Sequence, residues 1–536
     1  MTKIRPAHAL ALLFFLQAWF FGWFVTPLGD IPDESGHYAY VVDMTKGRPL
    51  PVLGEVDKGR GTISANLWRD WGQPDGSRLN YIVQHPPLYY AVAAIPFSLA
   101  KKLTDDRFVW AKVTRLVSAA SLGLLIFVCY QILIAVRVEE RLALVLSSLF
   151  GFVPTVTHLS SGITNDMFLT LMCALATLYL IRFVKDQGIR SAYLCAFWLA
   201  CAGATKMTAW VLIAGFIGII IYELRQYWFR WILHAGLITI VAFSSALWWM
   251  RRNIYYHGNP FYVSGADVAP KAPDFTLLDY LEKQPFFDWL FQHFYALIGF
   301  SGYCNSAPSL EVLNRFCKGV HLTVVHGISM QIFAVICIML AAVLLAGVLT
   351  RVLRRRASTQ DTATANTPSS LQAMLANVLA SVGAGRWLPT LLILAAVGAS
   401  VFVYLHGYKL DPRYSTKVYI LTVLLLGLTI ASLYLVACGE HEDDRLMAYG
   451  PVLLSLFTLM LFLKGHEAYV IAERPAGIQG RYLFPFIPLM LASIGLALRP
   501  YRWALTATLL VATALAWAHL NAYINTVIPF FNLVRL

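Results

Sequence analysis

The sequence predicts an all-α, polytopic membrane protein of about thirteen transmembrane helices, whose outer loops carry juxtamembrane helices. Three observations predict it. Of the 536 residues, 58% are hydrophobic and only 13% charged, with a mean hydropathy of +0.62. Apolar runs of about 18 residues or more recur along the whole chain, each able to cross a hydrocarbon core of roughly 30 Å. The Lys and Arg residues of the short connections, taken in alternation, fall on one side only.

The first apolar run, Ala9–Val25, is rich in Trp and Phe and has no small-residue cleavage site. It therefore reads as a retained span and not as a signal peptide. Further spans are expected near 110–136, 142–158, 166–184, 191–206, 208–222, 229–250, 320–350, 387–405, 415–437, 447–463, 482–498 and 502–522. The stretch PPLYYAVAAIPFSLA (86–100) is apolar but short and proline-containing, as expected of a helix lying at the interface. These boundaries divide the chain into an N-terminal transmembrane module (1–250, with a first outer loop at 28–109), a second outer loop (251–319), one span (320–350), a polar linker (351–386) and a C-terminal module (387–536). No internal repeat is visible.

The net charge of +13 would suggest nucleic acid only for a soluble chain. Here Lys3, Arg5, Arg137, Arg141, Arg182, Lys185, Arg190, Arg225, Arg230, Arg351, Arg354, Arg355, Arg356, Arg499 and Arg502 all fall on one side of the thirteen-span arrangement. By the positive-inside rule that side is cytoplasmic, which puts the N-terminus inside and the two long loops outside. Nucleic acid is excluded as a partner, and the lipid bilayer takes its place. Six of the eight cysteines fall in or beside apolar runs as small buried hydrophobes. Cys304 and Cys317 share the second outer loop, as a disulfide or as two free thiols.

The unusual polar residues collect on the outer face. In GDIPDESGHYAY (29–40), Asp30, Asp33, Glu34 and His37 share one face if the segment is helical. Such a face can supply a general base, can hold a divalent cation, or can simply start a helix with Asp33 as N-cap. QHPPLYY brings His85 to the end of the same loop, with a solvated loop histidine as the plainer alternative. The turn at Asn165 and Asp166 caps the next span, with Asp166 able to face a cavity. Lys206 interrupts an apolar run, where it either marks a functional site or snorkels to the interface. Arg251 and Arg252 stand at the mouth of one span, and Arg481 and Tyr482 at the mouth of another. His466 belongs to a further outer turn. Arginines on the face that the orienting bias depletes call for an anionic ligand such as a phosphate. The aromatic segment FFDWLFQHFYALIGF (286–300) suits either a cavity wall or an interfacial anchor.

Taken together, PDESGH, HPPLYY, the Asn165–Asp166 turn, Lys206 with the Thr two residues on, RRNIYYHGNPF and QGRYLFPFIP resemble the GT-C superfamily of bacterial integral-membrane glycosyltransferases. PDExxH and QGRY are most similar to those of a group of bacterial multi-span proteins. The resemblance spans roughly 20–490. It implies an inner-membrane enzyme that transfers a sugar, with inversion, from a polyprenyl-phosphate carrier at the periplasmic face. An acid of the first outer loop would be the base: Asp33, then Glu34, with Asp30 as a third candidate. His85, Lys206, Arg251, Arg252 and Arg481 would hold the donor phosphate, and His37, Asp166, Tyr482 and His466 would touch substrate. The later loops lack a DxD motif of the metal-dependent members. No cofactor is therefore implied, and a divalent cation at Asp30 and Asp33 is the sole alternative. The acceptor, whether glycan, lipid or protein, is not encoded legibly.

Two other classes compete. A secondary transporter or lipid flippase needs polar groups and broken helices near the midplane, which is almost bare here. An O-antigen polymerase or ligase shares outer-face arginines and lipid-linked substrates. Those enzymes depend on one large late loop, whereas the large loops here follow spans one and seven.

Overall fold

A computed structural model of the chain describes residues 5–46, 50–53, 62–63, 78–186, 188–225, 228–263, 269–296, 328–363, 416–473, 479–529 and 531. The described residues are overwhelmingly helical, in line with the all-α expectation. The one exception is a two-residue ladder pairing Thr62–Ile63 with Arg78–Leu79 in the first long loop.

In chain order the helices are α1 (Pro6–Phe20), α2 (Glu34–Met44), α3 (Leu88–Leu103), α4 (Arg107–Thr114), α5 (Leu116–Ala135), α6 (Glu140–Ser148), α7 (Pro154–Ser160), α8 (Asp166–Asp186) and α9 (Ile189–Gly203). They continue with α10 (Ala209–Leu224), α11 (Trp228–His257), α12 (Leu277–Lys283), α13 (Phe286–Ala296), α14 (Ile328–Ala363), α15 (Thr416–Cys438), α16 (Glu442–Ala472), α17 (Ile487–Leu498) and α18 (Ala504–Ala522). Among the described residues nine helices are long and apolar enough to cross a membrane, or ten if one bent pair counts as a single span. A helix stands in place of every expected span except 387–405, which lies outside the described residues.

Three expected spans differ in form. The run at 142–158 is broken by 74° between Phe152 and Pro154. Pro154 lacks an N–H and pushes Val153 into an extended conformation (ψ 120°), so the helix must restart there. The runs at 191–206 and 208–222 form α9 and α10, of 15 and 16 residues. Residues 204–208 separate them, and Lys206 lies in that break. The polar linker expected from 351 begins as helix, because α14 continues to Ala363. Residues 364–386, Cys304 and Cys317 lie outside the described residues.

The core is apolar and continuous from α1 to α18. The span over α8 is 78% buried, against 17% for that over Pro6–Val25, so α8 runs through the middle of the bundle and α1 along its edge. α3 is two-sided: Tyr89, Tyr90, Ala93 and Phe97 are buried, while Ile95, Leu99 and Leu103 are exposed. α13 does not lie loosely on a surface. Phe286, Leu290 and Tyr295 are buried, and Phe294 packs edge-on against Phe484 at 5.1 Å between ring centres. It thereby braces the short 3-10 turn Gly480–Phe486 that precedes α17.

Candidate active site

The site is built where the start of α2, the start of α8, the α9–α10 break and the Gly480–Phe486 turn converge. Its first element corrects an expectation. Residues 30–37 are not one helix: α2 begins only at Glu34, and Asp33 adopts a left-handed conformation with φ 67°. Asp tolerates that region better than most residues. Asp33 occupies the N-cap position, yet its side chain makes no capping hydrogen bond. The turn sends neighbouring carboxylates in different directions, so neither the shared acidic face nor the cap describes them.

Asp33 turns toward the cluster. Its Oδ1 accepts from the Tyr81 hydroxyl, and its Oδ2 lies 3.2 Å from Arg481 Nη2. Arg481 Nη1 is 3.5 Å from Asp166 Oδ2, and Lys206 Nζ is 2.5 Å from Asp166 Oδ1. Tyr482 lies beside both cations, its ring centre 5.2 Å from Lys206 Nζ and 5.9 Å from the Arg481 guanidinium carbon. Two carboxylates and two cations thus form one chain, largely closed off from solvent. About 19% of the Asp33 side chain is exposed, against 4–5% for Asp166, Lys206 and Arg481. Asp33 is thus the most accessible of the four.

Glu34 turns the other way. Arg115 Nε and Nη2 donate to its two oxygens, each at 2.8 Å. The backbone N–H groups of Gly29 and Ile163 add bonds of 2.8 and 2.9 Å. Arg115 also donates to the carbonyls of Gly22, Thr26 and Pro27. The Glu34 side chain is fully buried, so its oxygens are saturated and shielded. Asp30 is also fully buried. Among the described residues no three His, Cys, Asp or Glu side chains gather closely enough to hold a metal ion.

His37 is buried beneath the cluster. Its Nδ1 pairs with the Tyr90 hydroxyl at 2.9 Å, and the Asn165 amide reaches the same hydroxyl at 3.3 Å. Burial, then the positive charge of Lys206 and more weakly that of Arg481, push the His37 imidazole down to about 3. His85 lies in the same field: burial first, then Lys206 and His37, hold it well below the ordinary histidine value.

The remaining candidates lie elsewhere. Arg251 is exposed. Arg252 donates to the Pro51 carbonyl at 2.7 Å and sits 4.5 Å over the Trp249 ring, tying the first loop to α11. His466 pairs with the Phe275 carbonyl at 2.8 Å and packs against Tyr280. The structure thus brings Asp33, Asp166, Lys206, Arg481 and Tyr482 into direct contact, with His37 and His85 close by, and it gives Arg251, Arg252 and His466 other surroundings. Sequence reasoning missed Tyr81 and Arg115. Arg115 had a usable signal, a charge inside the apolar run VTRLVSAAS, the same signal that marked Lys206. Tyr81 had none.

Residues 84–249 match the family of dolichyl-phosphate-mannose-protein mannosyltransferases. The stretch runs from just before HPPLYY to Trp249 and includes His85, Asp166 and Lys206, but neither Asp33 nor Arg481. Two solved structures are similar along most of the chain. ArnT from Cupriavidus metallidurans in the apo state is 14% identical, with a TM-score of 0.33, over 91% of this chain and 76% of that one. The same protein bound to undecaprenyl phosphate is 13% identical, with a TM-score of 0.35, over 92% and 77%. No curated protein matches the chain.

Proposed function

We propose that this chain is a membrane glycosyltransferase of the GT-C superfamily, which moves a sugar from a polyprenyl-phosphate carrier to an acceptor hydroxyl. The reaction runs at the periplasmic face of the inner membrane, and the acceptor belongs to an envelope glycan, a glycolipid or a protein. One observation carries this: a partly exposed carboxylate, Asp33, is joined through Arg481 and Asp166 to Lys206 in a single enclosed cluster. The donor class also accords with the matched family, whose name specifies dolichyl-phosphate-mannose as its sugar source.

In this scheme Asp33 takes the proton of the acceptor hydroxyl as its oxygen bonds to the sugar's anomeric carbon. The bond from that carbon to the phosphate oxygen breaks, and the carrier leaves with one more negative charge. Arg481 and Lys206 hold that phosphate. A protonated Asp33 no longer competes for Arg481, so the guanidinium becomes freer for the phosphate just as its charge grows. A phosphate is a good leaving group, so the work is mainly positioning and charge stabilisation. Glu34, paired and shielded, serves to hold the loop, and Asp30 is too enclosed to meet an acceptor.

The test is transfer by the purified protein from synthetic polyprenyl-phosphate sugars, comparing wild type with Asp33→Asn and Arg481→Ala. Turnover should fall at least about 100-fold in Asp33→Asn, the usual minimum for loss of a general base. Full transfer by that variant would remove Asp33 from the chemistry. Uptake of substrate into sealed vesicles with no sugar transferred would instead point to a transporter.

A further inference from the structure

The charges of the cluster pose a problem that its geometry helps to solve. Asp33, Asp166, Lys206 and Arg481 sum to zero when all four are ionised, so both cations are already paired before any donor arrives. A sugar–phosphate diester brings one negative charge. Adding it to a closed, neutral cluster is costly unless a positive charge comes with it.

Two imidazoles are near enough to supply one. His37 is committed, its Nδ1 paired with Tyr90 and its ring stacked on that residue at 5.8 Å. His85 is not. It is half-buried, and its Nδ1 is buried with no hydrogen-bond partner among the described residues. Its backbone is anchored, with the Tyr40 hydroxyl donating to its carbonyl at 3.4 Å. The Pro-Pro pair that follows turns the chain into α3. The charged and titratable groups acting on the ring are Lys206 from the α9–α10 break, His37 from α2, Asp166 from α8 and Asp33 from the turn before α2. Lys206 and His37 disfavour its protonation and the two carboxylates favour it.

We infer that the donor phosphate binds together with one proton taken up from water by His85, so that the loaded site holds the phosphate between Lys206, Arg481 and an imidazolium. The inference rests on the donor assigned above. Phosphate oxygens would accept from the new N–H and draw Lys206 and Arg481 away from the carboxylates. The same proton would then face the second charge that appears when the carrier leaves, so uptake at binding prepares the site for the transfer step. His85 thus acts on the phosphate, and Asp33 on the acceptor.

The experiment is isothermal titration of the full-length protein in detergent with a farnesyl glycosyl phosphodiester, a probe whose own charge stays constant across the pH range. Titrations at one pH in two buffers of different ionisation enthalpy count the protons. About one proton per probe is expected for wild type at pH 7.5, and the Kd should weaken about tenfold per pH unit as pH rises toward 9. His85→Gln should bind more weakly, with no proton uptake and a flat pH profile. Binding by wild type with equal heats in both buffers would overturn the inference and leave the donor reading intact. Failure to bind the diester at any pH would overturn both. The wild-type comparison decides the matter even where the variant does not fold.

Discussion

Arg115 and Glu34 form a two-pronged ion pair within the bundle, with both N–H···O distances at 2.8 Å and neither side chain more than 2% exposed. Arg115 spends its remaining donors on three carbonyls of residues 22–27, and Glu34 accepts from Gly29 and Ile163. The pair therefore fastens the first span, the loop after it and the turn before α8 to α5. Asp33 sits one residue from this knot. Removing one partner leaves a buried charge and several orphaned carbonyls, so Arg115→Leu should cost about 3–5 kcal/mol. Thermal unfolding in detergent would show it. Glu34→Gln should lose stability and transfer together, whereas Asp33→Asn should lose transfer with little change in unfolding temperature.

Tyr81 holds the other oxygen of Asp33. Tyr81→Phe keeps the ring and deletes only the donor, leaving Arg481 as the sole contact described above for that carboxylate. The turnover number should fall by about tenfold, the equivalent of about 1.4 kcal/mol, while the KM for donor stays near wild type. An unchanged turnover number would mean that Tyr81 plays no part in aiming the base.

Much of the fold was legible because burial in lipid leaves a strong one-dimensional signal. Every expected span within the described residues has its helix, although the break at Pro154 in the third was not expected. The site was legible only in part. Arg481, Lys206 and Asp166 stood out as charges at helix ends. The left-handed turn at Asp33 did not, because a single residue's φ leaves no periodic trace, and the spacing of four polar residues imitated a helical face. Arg252 and His466 looked equivalent to Arg481 in sequence. What separates them is which carbonyl or ring lies opposite, a matter of tertiary packing between segments some two hundred residues apart.

The glycine of QGRY has a clear physical reason. A Cβ on Gly480 would lie 2.1 Å from the backbone nitrogen of Phe294 and 2.5 Å from the carbonyl oxygen of Leu290. Both belong to the backbone of α13, which cannot move aside as a side chain could. Gly480→Ala should therefore displace the turn that carries Arg481 and destabilise the protein by about 1–3 kcal/mol. Transfer should fall more than stability does, because Arg481 is the adjacent residue. Equal activity and unfolding temperature in the variant would contradict this packing.

His37 makes stability depend on pH. Its folded-state value, about 3, lies below the ordinary value of 6.5, so the unfolded chain binds the proton more readily. Stability is then fully present above about pH 6.5 and drains away as pH falls toward 3. At pH 5 this one group accounts for a loss of about 2 kcal/mol. Unfolding temperatures measured between pH 8 and pH 5 should fall, and His37→Gln should make that slope shallower while lowering the plateau, since Gln cannot reproduce the pairing with Tyr90.

The opposite end of the bundle carries a second polar centre, at the start of α16. Asp443 accepts from Lys185, near the end of α8, and from Arg499, just past α17, both at 2.8 Å. Asp444 pairs with Arg351 of α14 at 2.9 Å, and Arg445 forms a two-pronged pair with Glu223 of α10 at 2.7 and 2.8 Å. α8 begins at Asp166, and the turn leading into α17 carries Arg481, so the helices that meet at the site are also joined at their far ends through Asp443. Because one carboxylate serves two cations there, Asp443→Asn should destabilise by about 1–3 kcal/mol. High salt should shrink the loss, since Arg499 and Asp443 are partly exposed. An unchanged unfolding temperature at low salt would show that the shared carboxylate does not carry this load.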